Sequence, residues 1–131
     1  MSIDIVIPTY NNLQELKACI QGLEEQTVET LRLLICVDGS TDGTREYLRN
    51  TSFRHDVLMI EHDDRQNHGR SITRNLALPY LRSEFTMFLD SDAVPEPVCV
   101  ENHLNMLKKK DCISLGYVNF ITKSSNWTAD Y

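Results

Sequence analysis

Apolar positions along this chain switch repeatedly between runs and helical spacing. Ile3 to Ile7 is a short apolar run closed by Pro8, which predicts a buried strand. Leu13, Leu16, Ile20 and Leu23 then recur at helical spacing, with Asn11 or Asn12 placed to cap the helix. Leu33 to Val37 predicts a second buried strand, β-branched at Ile35 and Val37. Asp38 to Thr44 reads as a loop and Thr44 to Leu48 as a short helix. Val57 to Ile60 predicts a third strand. Asn67 can cap a helix running to about Leu78, where Pro79 interferes. Phe85 to Leu89 predicts a fourth strand. Beyond Pro95 and Pro97 a helix carries Leu104 and Leu107, and Ile113 to Ile121 is expected to form a fifth extended segment.

Strands and helices alternate, so the fold class is α/β: a mostly parallel sheet with helices on both faces. The crossovers should be right-handed. The 131 residues fit one domain, without internal repeat or linker.

A parallel sheet brings the carboxyl ends of its strands to one edge, where open α/β sheets bind ligands. Thr9, Tyr10 and Asn11 follow the first strand, and Asp38, Gly39, Ser40 and Asp42 the second. His62, Asp63 and Asp64 follow the third, and Asp90, Ser91 and Asp92 the fourth. The pattern predicts an acidic cleft suited to a metal ion.

Charge narrows the ligand. With a net charge of −6, the chain should repel a nucleic acid backbone. The one basic run, Lys108-Lys109-Lys110, is explained by the negative end of a helix dipole. A small phosphate-bearing molecule remains compatible, because a metal can neutralise it locally. Cys19, Cys36, Cys99 and Cys112 form no close pair, so no zinc or redox motif is expected. Cys19 and Cys36 read as small core residues, which suits a reducing compartment. The start, Met1 to Asp4, lacks signal-peptide character, and no apolar stretch is long enough for a transmembrane segment. A cytoplasmic location is expected, and the sequons at Asn50 and Asn126 read as chance matches.

Three motifs carry candidate chemistry. In Asp90-Ser91-Asp92, two carboxylates at a strand end can turn toward one point, and oxygen ligands suit Mg²⁺ or Mn²⁺ rather than zinc. Such an ion stabilises charge on a diphosphate leaving group. The same tripeptide also fits an acidic turn before a helix, but its place directly after the run Phe85 to Leu89 favours the metal. In Val37 to Thr44, two glycines permit unusual backbone angles and close approach to a ligand. Asp38 is read there as an acceptor for a base or ribose, and Asp42 as a helix cap. In Asn67 to Asn75, Arg70 and Arg74 stand four apart on one helix face, fit for phosphate or for plain solvation. His68 reads as a loop decoration rather than a base, and so do His55, His62 and His103.

The blocks Val6 to Asn11, Val37 to Thr44, Asn67-x-Gly69 with Arg74-Asn75, and Leu89 to Asp92 together resemble family 2 glycosyltransferases. All four occur in the family's order, from Ile5 to about Pro95. The resemblance implies the GT-A nucleotide-diphospho-sugar transferase fold, which is Rossmann-like. It implies transfer of a sugar from a nucleotide-diphospho-sugar, a UDP-sugar first, to an acceptor hydroxyl with inversion. It implies Mn²⁺ or Mg²⁺ as cofactor. Thr9 and Tyr10 would line the nucleotide pocket, Asp38 would bind the base, Asn11 and Gly39 would belong to the donor site, and Arg74 would lie near the nucleotide or diphosphate. Asp90 and Ser91 would sit by the donor, with Asp92 the direct metal ligand and Asp90 beside it.

The sequence departs from the family where Ala93 replaces a further acid and where Ser71-Ile72-Thr73 replaces small residues. It also stops at Tyr131, soon after the fifth segment, so the expected fold is a truncated one. The resemblance implies a second half holding the acceptor site and the catalytic base, and no residue here is assigned that role; Asp130 stands at the chain end. The expected acceptor is a carbohydrate or a lipid-linked molecule. Membrane association would be peripheral, through another part or partner, and an exposed sheet edge could support an oligomer. The alternative function is a non-catalytic nucleotide-sugar-binding module or partner subunit on the same fold. A dinucleotide-binding or phospho-acceptor domain is disfavoured, because Pro8 to Asn12 lacks a Gly-x-Gly-x-x-Gly turn.

Overall fold

The computed structural model describes residues 2–109 and 111–119. Lys110, Ile121, Asn126 and Asp130 lie outside them. The order is β1 (Ile3–Thr9), α1 (Leu13–Glu24), β2 (Arg32–Val37), α2 (Thr44–Asn50), β3 (Asp56–Glu61), α3 (Arg70–Asn75), a 3₁₀ turn (Leu78–Tyr80), β4 (Phe85–Phe88) and α4 (Cys99–Lys109). The four strands form one sheet in the order β3-β2-β1-β4, with every pairing parallel. The α/β class with a parallel sheet therefore holds.

Alternation along the central strands builds a core on each face. Ile3, Ile5 and Ile7 of β1 join Leu33, Ile35 and Val37 of β2 under Leu16, Cys19, Ile20 and Leu23 of α1, with Leu48 of α2 and Val100 and Leu104 of α4. Val6, Leu34, Cys36, Ile60 and Ala77 fill the opposite face. Cys19 and Cys36 are fully buried, as expected of small core residues. Lys108 and Lys109 occupy the last turn of α4, where they oppose its dipole.

Three expectations are corrected. First, neither Asn11 nor Asn12 caps α1 with its side chain; the Asp42 carboxylate does so, 2.9 Å from the Leu13 amide. Its other oxygen accepts from the Thr44 hydroxyl at 2.6 Å. Burial pushes the Asp42 carboxyl up, but these hydrogen bonds outweigh it and hold it below the usual range. Second, Asn67 does not cap a helix reaching Leu78: α3 begins after Gly69, stops at Asn75, and Pro79 sits in a separate 3₁₀ turn. Asn67 is drawn away by Asp38, described below. Third, no strand forms over 113–119, where Ile113, Leu115 and Tyr117 are exposed. These residues pair with no strand among the described residues.

Candidate functional site

The carboxyl ends of all four strands share one edge, and side chains tie their loops into a ring. After β1, Asn11 takes a left-handed φ of 45°, a conformation asparagine tolerates. Its side-chain oxygen accepts from the Thr41 amide at 2.7 Å, while its own amide donates to Ser40 Oγ at 3.1 Å. Those contacts bind the β1 loop to the β2 loop, and the Asp38 amide donates to the Thr9 carbonyl at 2.9 Å. Asn12 bridges the other way: it accepts from Thr9 Oγ1 and donates to Ser91 Oγ at 2.7 Å. Ser91 is thereby buried, between the exposed Asp90 and Asp92. The ring closes where Arg74 of α3 reaches Asp90 Oδ1 at 2.8 Å.

Asp38 holds the next loop. Its carboxylate is buried and accepts from the His68 amide at 2.6 Å, the Gly69 amide at 3.1 Å and Asn67 Nδ2 at 3.1 Å. The acceptor expected for a base is thus already occupied by residues 67–69. Gly39 explains why the loop can lie so close. A Cβ there would stand 2.5 Å from the Asn67 nitrogen and 2.6 Å from the Gln66 carbonyl carbon, and its φ is +76°. Gly39→Ala is therefore expected to lower the unfolding free energy by about 2–3 kcal/mol, combining left-handed strain with a backbone clash. Urea denaturation measures it.

The predicted residues do not all fare alike. Thr9, Asn11, Asp38, Gly39, Arg74, Asp90 and Ser91 are joined by the contacts above. Tyr10 is 51% exposed on the same edge. Asp92 is exposed, and among the described residues it joins no ion pair. Arg70 is exposed as well, whereas Arg74, four residues on, finds Asp90. Local sequence signals mark Asp42 as a cap but not of α1, and they give no sign of the bridging contacts of Asn12 and His62. The sequence marks Asn12 only as a cap, though its amide can both donate and accept across two loops.

Asp90 and Asp92 fit a hard divalent cation by donor chemistry, since both offer exposed carboxylate oxygens. Among the described residues no group of three or more His, Cys, Asp or Glu side chains is arranged as a cage. An ion held here would take its remaining ligands from water or phosphate, as Mg²⁺ commonly does. The nearby Cys19 thiol lies 3.8 Å from the Asp90 carbonyl. Burial, then the charges of Asp92 and Asp90, push it up to about 12, so it stays a neutral core group. No described helix is long and apolar enough to cross a membrane.

Comparison with known proteins bears on the family and the fold. The family model described as Glycosyl transferase family 2 matches residues 4–131. The chain is 32% identical over 125 residues to an Escherichia coli enzyme, UDP-Glc:alpha-D-GlcNAc-diphosphoundecaprenol beta-1,3-glucosyltransferase WfgD, covering 95% of this chain and 47% of that protein. It is 29% identical to Escherichia coli chondroitin synthase, covering 95% of this chain and 19% of the synthase. The chain thus spans less than half the length of these relatives. Among solved structures, S. aureus TarS 1-349 in complex with UDP-GlcNAc superimposes with a TM-score of 0.74 at 22% identity, over 83% of this chain and 32% of that one. The mannosyltransferase PcManGT from Pyrobaculum calidifontis, in complex with GDP-Man and Mn2+, gives 0.73 at 23% identity, over 80% and 32%.

Proposed function

This chain belongs to glycosyl transferase family 2, and from that premise we propose that residues 1–131 form a nucleotide-sugar-binding domain that presents a UDP-sugar for transfer to an acceptor hydroxyl. The acceptor is a carbohydrate or a lipid-linked molecule. The observation that carries the reading is the exposed Asp90 and Asp92 at the end of β4, next to Arg74 and on the edge that Tyr10 and Asn11 share.

Tyr10 offers an exposed ring for the base, and the turn held by Asp38 offers Asn67 and backbone groups beside it. Arg74 supplies a planar cation for the diphosphate, and its pairing with Asp90 keeps it aimed at the edge. Asp92 and the free oxygen of Asp90 would hold Mn²⁺ or Mg²⁺. When bound, such an ion neutralises charge on the departing diphosphate. The transfer itself forms a bond from the acceptor oxygen to the anomeric carbon as the bond to the diphosphate breaks, with inversion. The group that takes the acceptor proton is assigned to no residue of this chain.

Thermal unfolding tests the reading. UDP with Mn²⁺ at one hundred times its dissociation constant should raise the melting temperature by about 10 °C, from roughly 2.7 kcal/mol of linkage and the usual unfolding entropy for this length. No shift with any nucleoside diphosphate, with or without Mn²⁺, contradicts it.

A further inference from the structure

We infer that His62 is a positioning residue that joins the loop held by Asp38 to the arginine-bearing helix α3, so that both ends of the nucleotide site keep one spacing; this rests on the donor-binding reading. His62 follows β3 directly and is 9% exposed. Its Nε2 lies 2.9 Å from Thr73 Oγ1 and 3.4 Å from Asp38 Oδ1. An unprotonated Nε2 would set its lone pair against that carboxylate, so the ring hydrogen is assigned to Nε2, with Thr73 Oγ1 as its acceptor. Thr73 is fully buried and directly precedes Arg74, whose guanidinium reaches Asp90. Asp38 meanwhile holds the Gly69 amide at the first turn of α3.

Helix α3 is therefore gripped at its start by Asp38, in its second half by His62, and at its end by Asp90. A six-residue helix contributes little stability of its own, so its placement depends on such contacts. The His68 ring covers His62, with centroids 4.2 Å apart at 44°, and is itself held by Asp64 at 2.8 Å from Nε2. The base and the diphosphate belong to one ligand. A shift of Arg74 relative to the Asp38 loop should therefore weaken the whole donor, since small misplacements are costly where geometry is shared.

The test measures UDP affinity in Mn²⁺ for the native chain, His62→Leu, His62→Gln, Arg74→Ala and the double variant His62→Leu/Arg74→Ala. Leucine fills the space but cannot donate, while the glutamine amide can replace Nε2. His62→Leu should bind UDP about tenfold more weakly, the upper end of the scale for one neutral hydrogen bond. His62→Gln should recover to within about threefold of native by restoring that donor. In the Arg74→Ala background, His62→Leu should add less than about twofold, because coupled residues are not additive. Circular dichroism checks folding; if His62→Leu does not fold, Thr73→Val removes the acceptor instead and carries the same expectation. A glutamine variant as weak as leucine, additive losses, or native affinity in a folded His62→Leu or Thr73→Val overturns the inference alone. No saturable UDP binding by the native chain overturns the donor-binding reading and this inference with it.

Discussion

Replacing Asp4 with alanine is expected to cost about 3–5 kcal/mol of unfolding free energy, the range for breaking a buried ion pair from one side. Asp4 is fully buried in β1, at the amino end of the sheet. Its carboxylate accepts from the Arg82 amide at 2.7 Å, the Ser83 amide at 3.0 Å, Ser83 Oγ at 2.8 Å and Arg32 Nη1 at 3.1 Å. It thereby clamps the turn before β4 to the first two strands. Alanine leaves those amides without an acceptor and the Arg32 charge, 14% exposed, without its buried partner. Urea denaturation at neutral pH measures the loss.

The same carboxylate sets a pH dependence. Burial pushes the Asp4 carboxyl up, but the hydrogen bonds from Arg82, Ser83 and Arg32 outweigh it and hold it below 3.8. The unfolded state therefore takes up its proton first as pH falls. The stabilisation is complete above pH 3.8 and disappears as pH drops through the lower folded value. Asp4→Asn should start less stable and lose less between about pH 4 and pH 2. An equal acid sensitivity in both proteins contradicts this.

Asp92→Ala is expected to remove the metal-dependent part of donor binding, about 100-fold in UDP affinity, because Asp92 would be the ion's direct ligand and even outer partners of a metal site cost about 10–100-fold. Stability should change by less than about 0.5 kcal/mol, as for a surface substitution. Asp92 is exposed and outside the ring that joins the loops. Asp90→Ala is a less clean probe, since it also frees Arg74; that pair, with side chains 52% and 30% exposed, contributes at most about 1 kcal/mol. UDP titrations with Mn²⁺ and with chelator separate the effects. If Asp92→Ala retains the full Mn²⁺ response, the metal assignment fails.

The strands and their shared edge were legible because apolar runs and strand–helix alternation are local signals. Once the sheet is parallel, Thr9, Asp38 and Asp90 must gather at one side. The contacts that shape the site were not legible, because they join residues far apart in the chain. Asp42 caps a helix that starts 29 residues before it, and Asn67 leaves its own helix for Asp38, 29 residues away. Asp4 stands inside an apolar run whose periodicity conceals a buried carboxylate. Nothing near His62 in sequence marks the Thr73 hydroxyl as its partner, so by sequence it resembles a loop decoration. The segment 113–119 shows the converse: its apolar alternation suits a strand, but a strand requires a neighbour.

Paramagnetic broadening by Mn²⁺ in the presence of UDP, followed in amide nuclear magnetic resonance spectra, tests the central claim most directly. The ion should broaden the amides of Ser91, Asp92 and Ala93 first, then Asn11 and Arg74. Arg82 and Ser83, on the opposite edge beside Asp4, should stay sharp. Broadening centred elsewhere, or the same pattern in Asp92→Ala, would contradict a donor site built on the carboxyl end of β4.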